Sequence, residues 1–339
     1  MNQTRTCKCA VIGAGSWGTT LAQLLADKGH ETTLWAYESE LVSRMTISHE
    51  NELYLPGIKL ASALKFSSDL GLAVEGADMV LLVCPSQVMR SVLLGLVDYL
   101  KPGTLLVSAA KGIENGSLRL MSELISELLP ERLRKKTGFL SGPSFAREVA
   151  LKIPTAVVAA ATHIAVAEEI QEIFSTDYFR VYTHDDIIGV ELGGAMKNVI
   201  ALAAGVSDGL GFGFNSRAAL ITRGLAEMTR LGIALGGAAA TFSGLSGMGD
   251  LVLTCTGDLS RNRTVGIELG RGKKLSEIMA GMQMVAEGVK TTLSAYQLAQ
   301  RMGVDTPIIE QMYLILYENK DPRQAVTDLM LRDLRPEAL

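Results

Sequence analysis

Short apolar runs that stop at glycine turns, each followed by a helix-spaced stretch, fill the first half of the chain. Cys9, Ala10, Val11 and Ile12 form one such run, ending at Gly13-Ala14-Gly15-Ser16-Trp17-Gly18. Leu21, Leu24 and Leu25 then recur at helical spacing up to Lys28-Gly29, a cationic last turn with glycine just beyond it. Thr32 to Trp35 reads as a second strand. Met79 to Val83 is a run of the buried type that stops at Cys84-Pro85-Ser86, with a helix predicted over 87–100. Pro102-Gly103 turns the chain into Thr104 to Ala109, which leads directly into Ala110-Lys111-Gly112. Phe139 to Ser141 leads into Gly142-Pro143-Ser144-Phe145-Ala146, and Thr155 to Ala160 and Phe179 to Thr183 complete the series. Apolar strands alternating with helices predict an open α/β sheet wound on both faces.

From Ile187 the strand pattern disappears. Helical periodicity occupies roughly 189–206, 216–235, 289–302 and 307–318, interrupted by the glycine clusters DGLGFGF (208–214) and SGLSGMGD (243–250). The expected architecture is α/β: an N-terminal Rossmann-like doubly wound sheet over 1–186 and an all-helical C-terminal domain over 187–339. The length of 339 residues agrees with two domains.

Composition narrows the function. Apolar residues make up 48% and charged residues 20%, the balance of a globular chain, and the net charge of −4 argues against broad nucleic-acid or membrane-surface binding. The cysteines Cys7, Cys9, Cys84 and Cys255 form no CxxC pair, and His30, His49, His163 and His184 have no ligand spacing, so no metal is expected and thiols are expected to be reduced. MNQTRTCK lacks the apolar core of a signal peptide. The longest uncharged run, Leu231 to Gly249, is too rich in Gly, Ser and Thr to span a bilayer. A cytoplasmic chain without membrane insertion is the expectation.

The glycine turn has the form GxGxxG in the context that gives it meaning: strand, turn, helix, strand. Gly13, Gly15 and Gly18 would let a pyrophosphate approach the backbone, and the following helix N-terminus supplies amide donors. Glu38, beyond the second strand, could reach a ribose hydroxyl, and no cation follows until Arg44. NAD or NADP is expected, with a lean to NAD; a solvated acid at a helix start is the plainer reading of Glu38.

Val190, Gly194, Lys197, Ala201 and Ala204 fall on one helix face that is small or apolar except at Lys197. Such a lysine is desolvated and its pKa lowered, as a proton-transfer group requires, unless its head snorkels to water. Lys111 follows a strand end, where α/β ligands bind, or is a surface loop lysine. Gly142 and Ser144 follow another strand end. Asp250 closes the second glycine cluster and could equally be a helix N-cap. Ser260-Arg261-Asn262-Arg263, at an expected helix start, collects guanidinium, amide and free N–H donors suited to a phosphate. A dinucleotide fold, a buried lysine and an anion site together suit a dehydrogenase acting on a small phosphorylated alcohol.

The motifs GAGSWGTTLA, SAAKGIE, SGPSFAREV, ELGGAMKNVIA, SDGLGFGFNSRAALITRGLAEM, GDLVLTCTGDLSRNR and VAEGVKT resemble the bacterial type of NAD(P)-dependent glycerol-3-phosphate dehydrogenase, in the family's order from Cys9 to Met330. The resemblance implies interconversion of sn-glycerol 3-phosphate and dihydroxyacetone phosphate, feeding glycerophospholipid synthesis. It makes Lys197 the proton acceptor. Lys111, Gly142, Ser144, Asp250, Ser260, Arg261 and Asn262 become substrate contacts. Ser16, Trp17, Tyr37, Lys111, Ala146, Arg261, Val285 and Glu287 become cofactor contacts. Tyr37 stands where many bacterial members carry a basic residue, which bears on the choice between NAD and NADP. The remaining rivals are a 3-hydroxyacid or 6-phosphogluconate type of dehydrogenase and a nucleotide-sensing regulator with a dead site. A homodimer is the assembly entertained.

Overall fold

Eight strands form one sheet: β1 (Lys8–Ile12), β2 (Glu31–Trp35), β3 (Lys65–Ser67), β4 (Met79–Leu82), β5 (Leu105–Ser108), β6 (Thr137–Ser141), β7 (Thr155–Ala160) and β8 (Phe179–His184). The computed structural model describes residues 6–282, 286–334 and 336–337. It divides into two units, Met1–Ala110 with Met121–Ile187 and Lys111–Leu120 with Ile188–Leu339.

In the first unit the strand order is β3-β2-β1-β4-β5-β6-β7-β8. Pairing is parallel from β3 through β6, antiparallel between β6 and β7, and parallel again between β7 and β8. The order reverses between β1 and β4, the switch point at which doubly wound sheets bind ligands. Successive side chains along a strand point to opposite faces. Cys9 and Val11 therefore enter one core with Leu21, Leu24 and Leu25 of the helix Ser16–Asp27, while Ala10 and Ile12 enter the other with Leu93 and Leu96 of the helix Met89–Leu96.

Two local expectations change. The three-residue β3 carries too little periodicity to stand out in the sequence. The helix expected over 87–100 is a 3₁₀ turn at Ser86–Val88 followed by Met89–Leu96, after which the chain runs through turn geometry over 97–99.

The second unit is helical and is built around the 23-residue helix Ile187–Gly209, which is buried over most of its length. Although it carries charged residues, this helix is long and apolar enough to cross a membrane; its apolar surface is instead covered by its own unit. Short helices with too few turns to show helical periodicity occupy the polar region: Ala239–Phe242, Asp250–Thr256, Arg261–Gly270 and Leu275–Ala280. Lys111–Leu120, assigned to the first domain by sequence order, packs with the helices. Ile113 and Leu120 are buried in the helical core, and Ser294 Oγ donates to the Ile113 carbonyl.

Candidate active site

In the first unit the glycine turn is closed by backbone contact. Gly13 has φ +118°, and a Cβ there would lie 2.9 Å from the Cys84 nitrogen beyond β4. A Cβ at Gly18 would lie 1.8 Å from the Gly13 carbonyl oxygen. Only glycine permits either approach. Gly15, the residue before the helix Ser16–Asp27, has open space where a Cβ would project and brings no side-chain cap. Gly15 thus leaves room at the N-terminus of this helix, and the turn fits a dinucleotide pyrophosphate. Ser16 and Trp17 begin that helix. The Trp17 ring turns inward against Phe179, with centroids 6.4 Å apart, and its buried Nε1 has no partner among the described residues.

At the end of β2, Tyr37 is 83% exposed and meets Trp35 edge-on. Glu38 precedes the helix Ser39–Ser48 without capping it through its side chain; its Oε1 accepts from the Tyr54 hydroxyl at 3.0 Å. After β6, Ser144 Oγ donates to the Gly142 carbonyl at 3.0 Å. Ala146 opens the helix Ala146–Ala150, and its carbonyl accepts from Thr20 Oγ1 at 3.1 Å, tying this turn to the glycine-turn helix.

In the second unit Lys197 and Lys111 converge on one carboxylate. Lys197 Nζ donates to Asp250 Oδ1, and Lys111 Nζ donates to Oδ2 at 2.7 Å. Asp250 is fully buried and Lys197 is 7% exposed. The lysine head does not snorkel. Burial pushes the Lys197 amine down to about 8; the neighbouring Lys111 adds to that effect and Asp250 opposes it. Asp250 is not an N-cap but the first residue of Asp250–Thr256, entered from a wide π turn at Leu245–Gly249. There the Gly249 N–H donates to the Gly244 carbonyl at 3.0 Å, the i→i+5 bond often found beside functional groups. Thr254 Oγ1 donates to the Asp250 carbonyl at 2.6 Å and fixes this turn further.

Ser260 caps Arg261–Gly270, accepting from the Arg263 N–H at 3.2 Å, so Arg261 and Asn262 stand at a helix N-terminus as expected. Asn262 Nδ2 donates to Asn198 Oδ1 at 2.9 Å, beside Lys197, and Asn262 Oδ1 accepts from the Gly288 N–H at 3.0 Å. Glu287 opens the helix Glu287–Met302. Its burial raises the carboxyl pKa, and the charges of Arg261, Lys111 and Lys197 oppose that rise. Val285 lies outside the described residues. Lys111, Lys197, Asp250, Arg261, Asn262 and Glu287 thus share one polar region of the helical unit. Gly13, Gly15, Ser16, Trp17, Gly18, Tyr37, Gly142, Ser144 and Ala146 belong to the first unit. Asn198 and Thr254 escaped the sequence reading because an amide and a hydroxyl inside apolar helices carry no spacing signal.

A doubly wound sheet with an open, glycine-gated helix N-terminus, joined to a helical unit holding a buried lysine against an aspartate, defines a nicotinamide-dependent dehydrogenase. Residues 8–167 match the family model described as NAD-dependent glycerol-3-phosphate dehydrogenase N-terminus, and residues 186–327 match that of the C-terminus. A protein from Syntrophotalea carbinolica named glycerol-3-phosphate dehydrogenase (NAD(P)+) is 66% identical over 327 residues, covering 96% of this chain and 98% of that one. One of the same name from Citrifermentans bemidjiense is 63% identical over 332 residues, covering 98% and 99%. The crystal structure of glycerol-3-phosphate dehydrogenase from Coxiella burnetii superposes with a TM-score of 0.92 at 41% identity, covering 96% of this chain and 99% of that one. The chain belongs to the NAD-dependent glycerol-3-phosphate dehydrogenase family, and its cofactor is NAD or NADP.

Proposed function

We propose that the chain interconverts sn-glycerol 3-phosphate and dihydroxyacetone phosphate, with Lys197 moving the proton. The observation that carries this reading is the Lys197 amine, buried against Asp250 and held at a pKa of about 8. NAD or NADP supplies or accepts the hydride when bound. Lys197 Nζ, as the neutral amine, takes the hydroxyl proton during oxidation; as the ammonium it returns that proton to the carbonyl oxygen during reduction. Asp250 aims both lysines, one on each carboxylate oxygen. Ser260, Arg261 and Asn262 grip the phosphate, remote from the reacting carbon, so their binding energy serves orientation. By family resemblance Gly142 and Ser144 also touch substrate, and Ser16, Trp17, Tyr37, Ala146, Val285 and Glu287 touch the cofactor. In the reducing direction the product supplies the glycerol backbone of phospholipids, in the cytoplasm, from a chain that could act as a homodimer.

Turnover of NADH with dihydroxyacetone phosphate, set against 3-oxoacids, together with reduction of NAD or NADP by 6-phosphogluconate, tests the assignment. Activity with dihydroxyacetone phosphate alone is expected; preference for an oxoacid overturns it. Arg261→Ala should raise KM for dihydroxyacetone phosphate with a smaller effect on kcat, since a charge-assisted hydrogen bond of about 1.5–3 kcal/mol is removed. An unchanged KM takes Arg261 out of the phosphate grip.

A further inference from the structure

The long helix Ile187–Gly209 does more than present Lys197. Near its C-terminal end Asp208 accepts two bonds on Oδ1 from Arg217, from Nε at 2.9 Å and Nη2 at 2.6 Å, and one on Oδ2 from Arg263 Nε at 2.8 Å. Arg263 is held a second time, Nη1 donating to Asp258 Oδ1 at 2.9 Å. The Asp208 and Arg263 side chains are only 9% and 13% exposed. Arg263 lies in the run expected from the sequence to hold a phosphate, but its guanidinium is bonded to Asp208 and Asp258, and the cluster contains none of the groups given proton-transfer or phosphate-binding roles under the proposed function. Yet Arg263 is the residue whose backbone N–H closes the Ser260 cap, and it follows Arg261 and Asn262 directly.

We propose that Asp208 is a positioning residue for the phosphate-binding turn, setting where Ser260, Arg261 and Asn262 stand relative to Lys197. This inference rests on the phosphate role given to that turn above. The geometry supports it in three ways. First, the helices Ile187–Gly209 and Arg261–Gly270 meet backbone to backbone: a Cβ at Gly205 would lie 2.1 Å from the Arg263 carbonyl oxygen, and one at Gly266 2.1 Å from that of Leu202. Their contact is therefore rigid, with no side chain between them to yield. Second, the turn is tied to the long helix at both ends of that contact, through Asn262 to Asn198 and through Arg263 to Asp208. Third, Lys197 and Asp208 lie eleven residues apart on one helix, about 16 Å along its axis and close to the same face. The helix thus fixes a distance between the amine that handles the proton and the donors that hold the far end of the substrate. A planar guanidinium bonded to two carboxylates is also a directional tether, which a lysine at position 263 could not reproduce.

The test is the steady-state kinetics of Asp208→Asn, which keeps side-chain shape and removes the charge, and of Arg263→Lys, which keeps the charge and removes the fork. Both should raise KM for dihydroxyacetone phosphate roughly tenfold or more, as expected for a displaced anchor, with kcat at saturation and NADH affinity changed far less. Both should also weaken competitive inhibition by inorganic phosphate. If Asp208→Asn fails to fold, Arg263→Lys carries the test. A soluble variant with lowered thermal stability but wild-type KM and phosphate inhibition overturns the inference and leaves Asp208 a purely structural ion pair. If Arg261→Ala also leaves KM unchanged, the phosphate reading of the turn is wrong and this inference falls with it. A raised KM for Arg261→Ala beside a wild-type KM for both tether variants sinks the positioning role alone.

Discussion

Replacing Lys197 by alanine separates proton transfer from the other work of the helical unit. A positioned acid or base contributes roughly 10²–10⁴-fold to the rate, equivalent to about 3–5 kcal/mol of barrier. Water is poorly placed to substitute, because Lys197 is 7% exposed and its carboxylate partner is fully buried. The wild-type pH dependence follows from the amine being pushed from 10.5 down to about 8 by burial, with Lys111 adding to the shift. Oxidation of the alcohol needs the neutral amine, so kcat should climb about tenfold per pH unit below that value and level off above it. Reduction needs the ammonium and should run the other way, level at low pH and falling above about 8.

Stability has its own sign. Between about 8 and 10.5 the unfolded chain still holds the lysine proton that the native state has released, so this group makes stability rise with pH across that window. The full effect is about 3 kcal/mol, and it should be missing from Lys197→Ala. The assay follows nicotinamide absorbance in both directions from about pH 6 to about pH 10, with denaturant unfolding of both proteins at the same pH values. Binding of NADH to the variant should stay near normal. Flat wild-type profiles, or an alanine variant keeping kcat within tenfold, would refute Lys197 as the proton-transfer group.

Elsewhere in the helical unit, Glu227 accepts from the Ile308 and Ile309 N–H groups at 2.7 and 3.2 Å, capping the helix Pro307–Tyr317 from a neighbouring helix. Glu227→Ala should cost about 1–3 kcal/mol by leaving buried amides unsatisfied, measured as a fall in the denaturation midpoint. Burial raises this carboxyl from 4.5 to about 7, so the native state holds the proton more tightly and the group's contribution to stability is lost as pH rises across that interval. Comparison of the wild type with Glu227→Gln over that range should isolate the loss; parallel curves would contradict it. Gly205→Ala puts a methyl group 2.1 Å from a backbone oxygen, so the two helices must separate. It should lower stability by more than about 2 kcal/mol and raise KM for the phosphorylated substrate, whereas a neutral result would mean the helix contact yields.

What the sequence determined by itself is local. The strand–glycine–helix unit at Cys9–Asp27 was legible because the run of apolar residues, the turn glycines and the helical spacing lie within one short stretch. Lys197 was legible as a buried amine because helical periodicity alone places it among Gly194, Ala201 and Ala204. Its chemistry was not legible, since pKa depends on what lies across the fold. Asp250 sits 53 residues from Lys197 and 139 from Lys111, and periodicity cannot report which carboxylate meets which amine. Likewise Lys111–Leu120 follows β5 in the chain yet joins the helices, because the place of Ile113 is decided by which core excludes it from water. Asn198, Thr254 and Asp208 are ordinary polar residues until burial compels each to find a partner. Tertiary structure decided these roles because burial and long-range pairing set the electrostatic environment, and neither is a property of any segment taken alone.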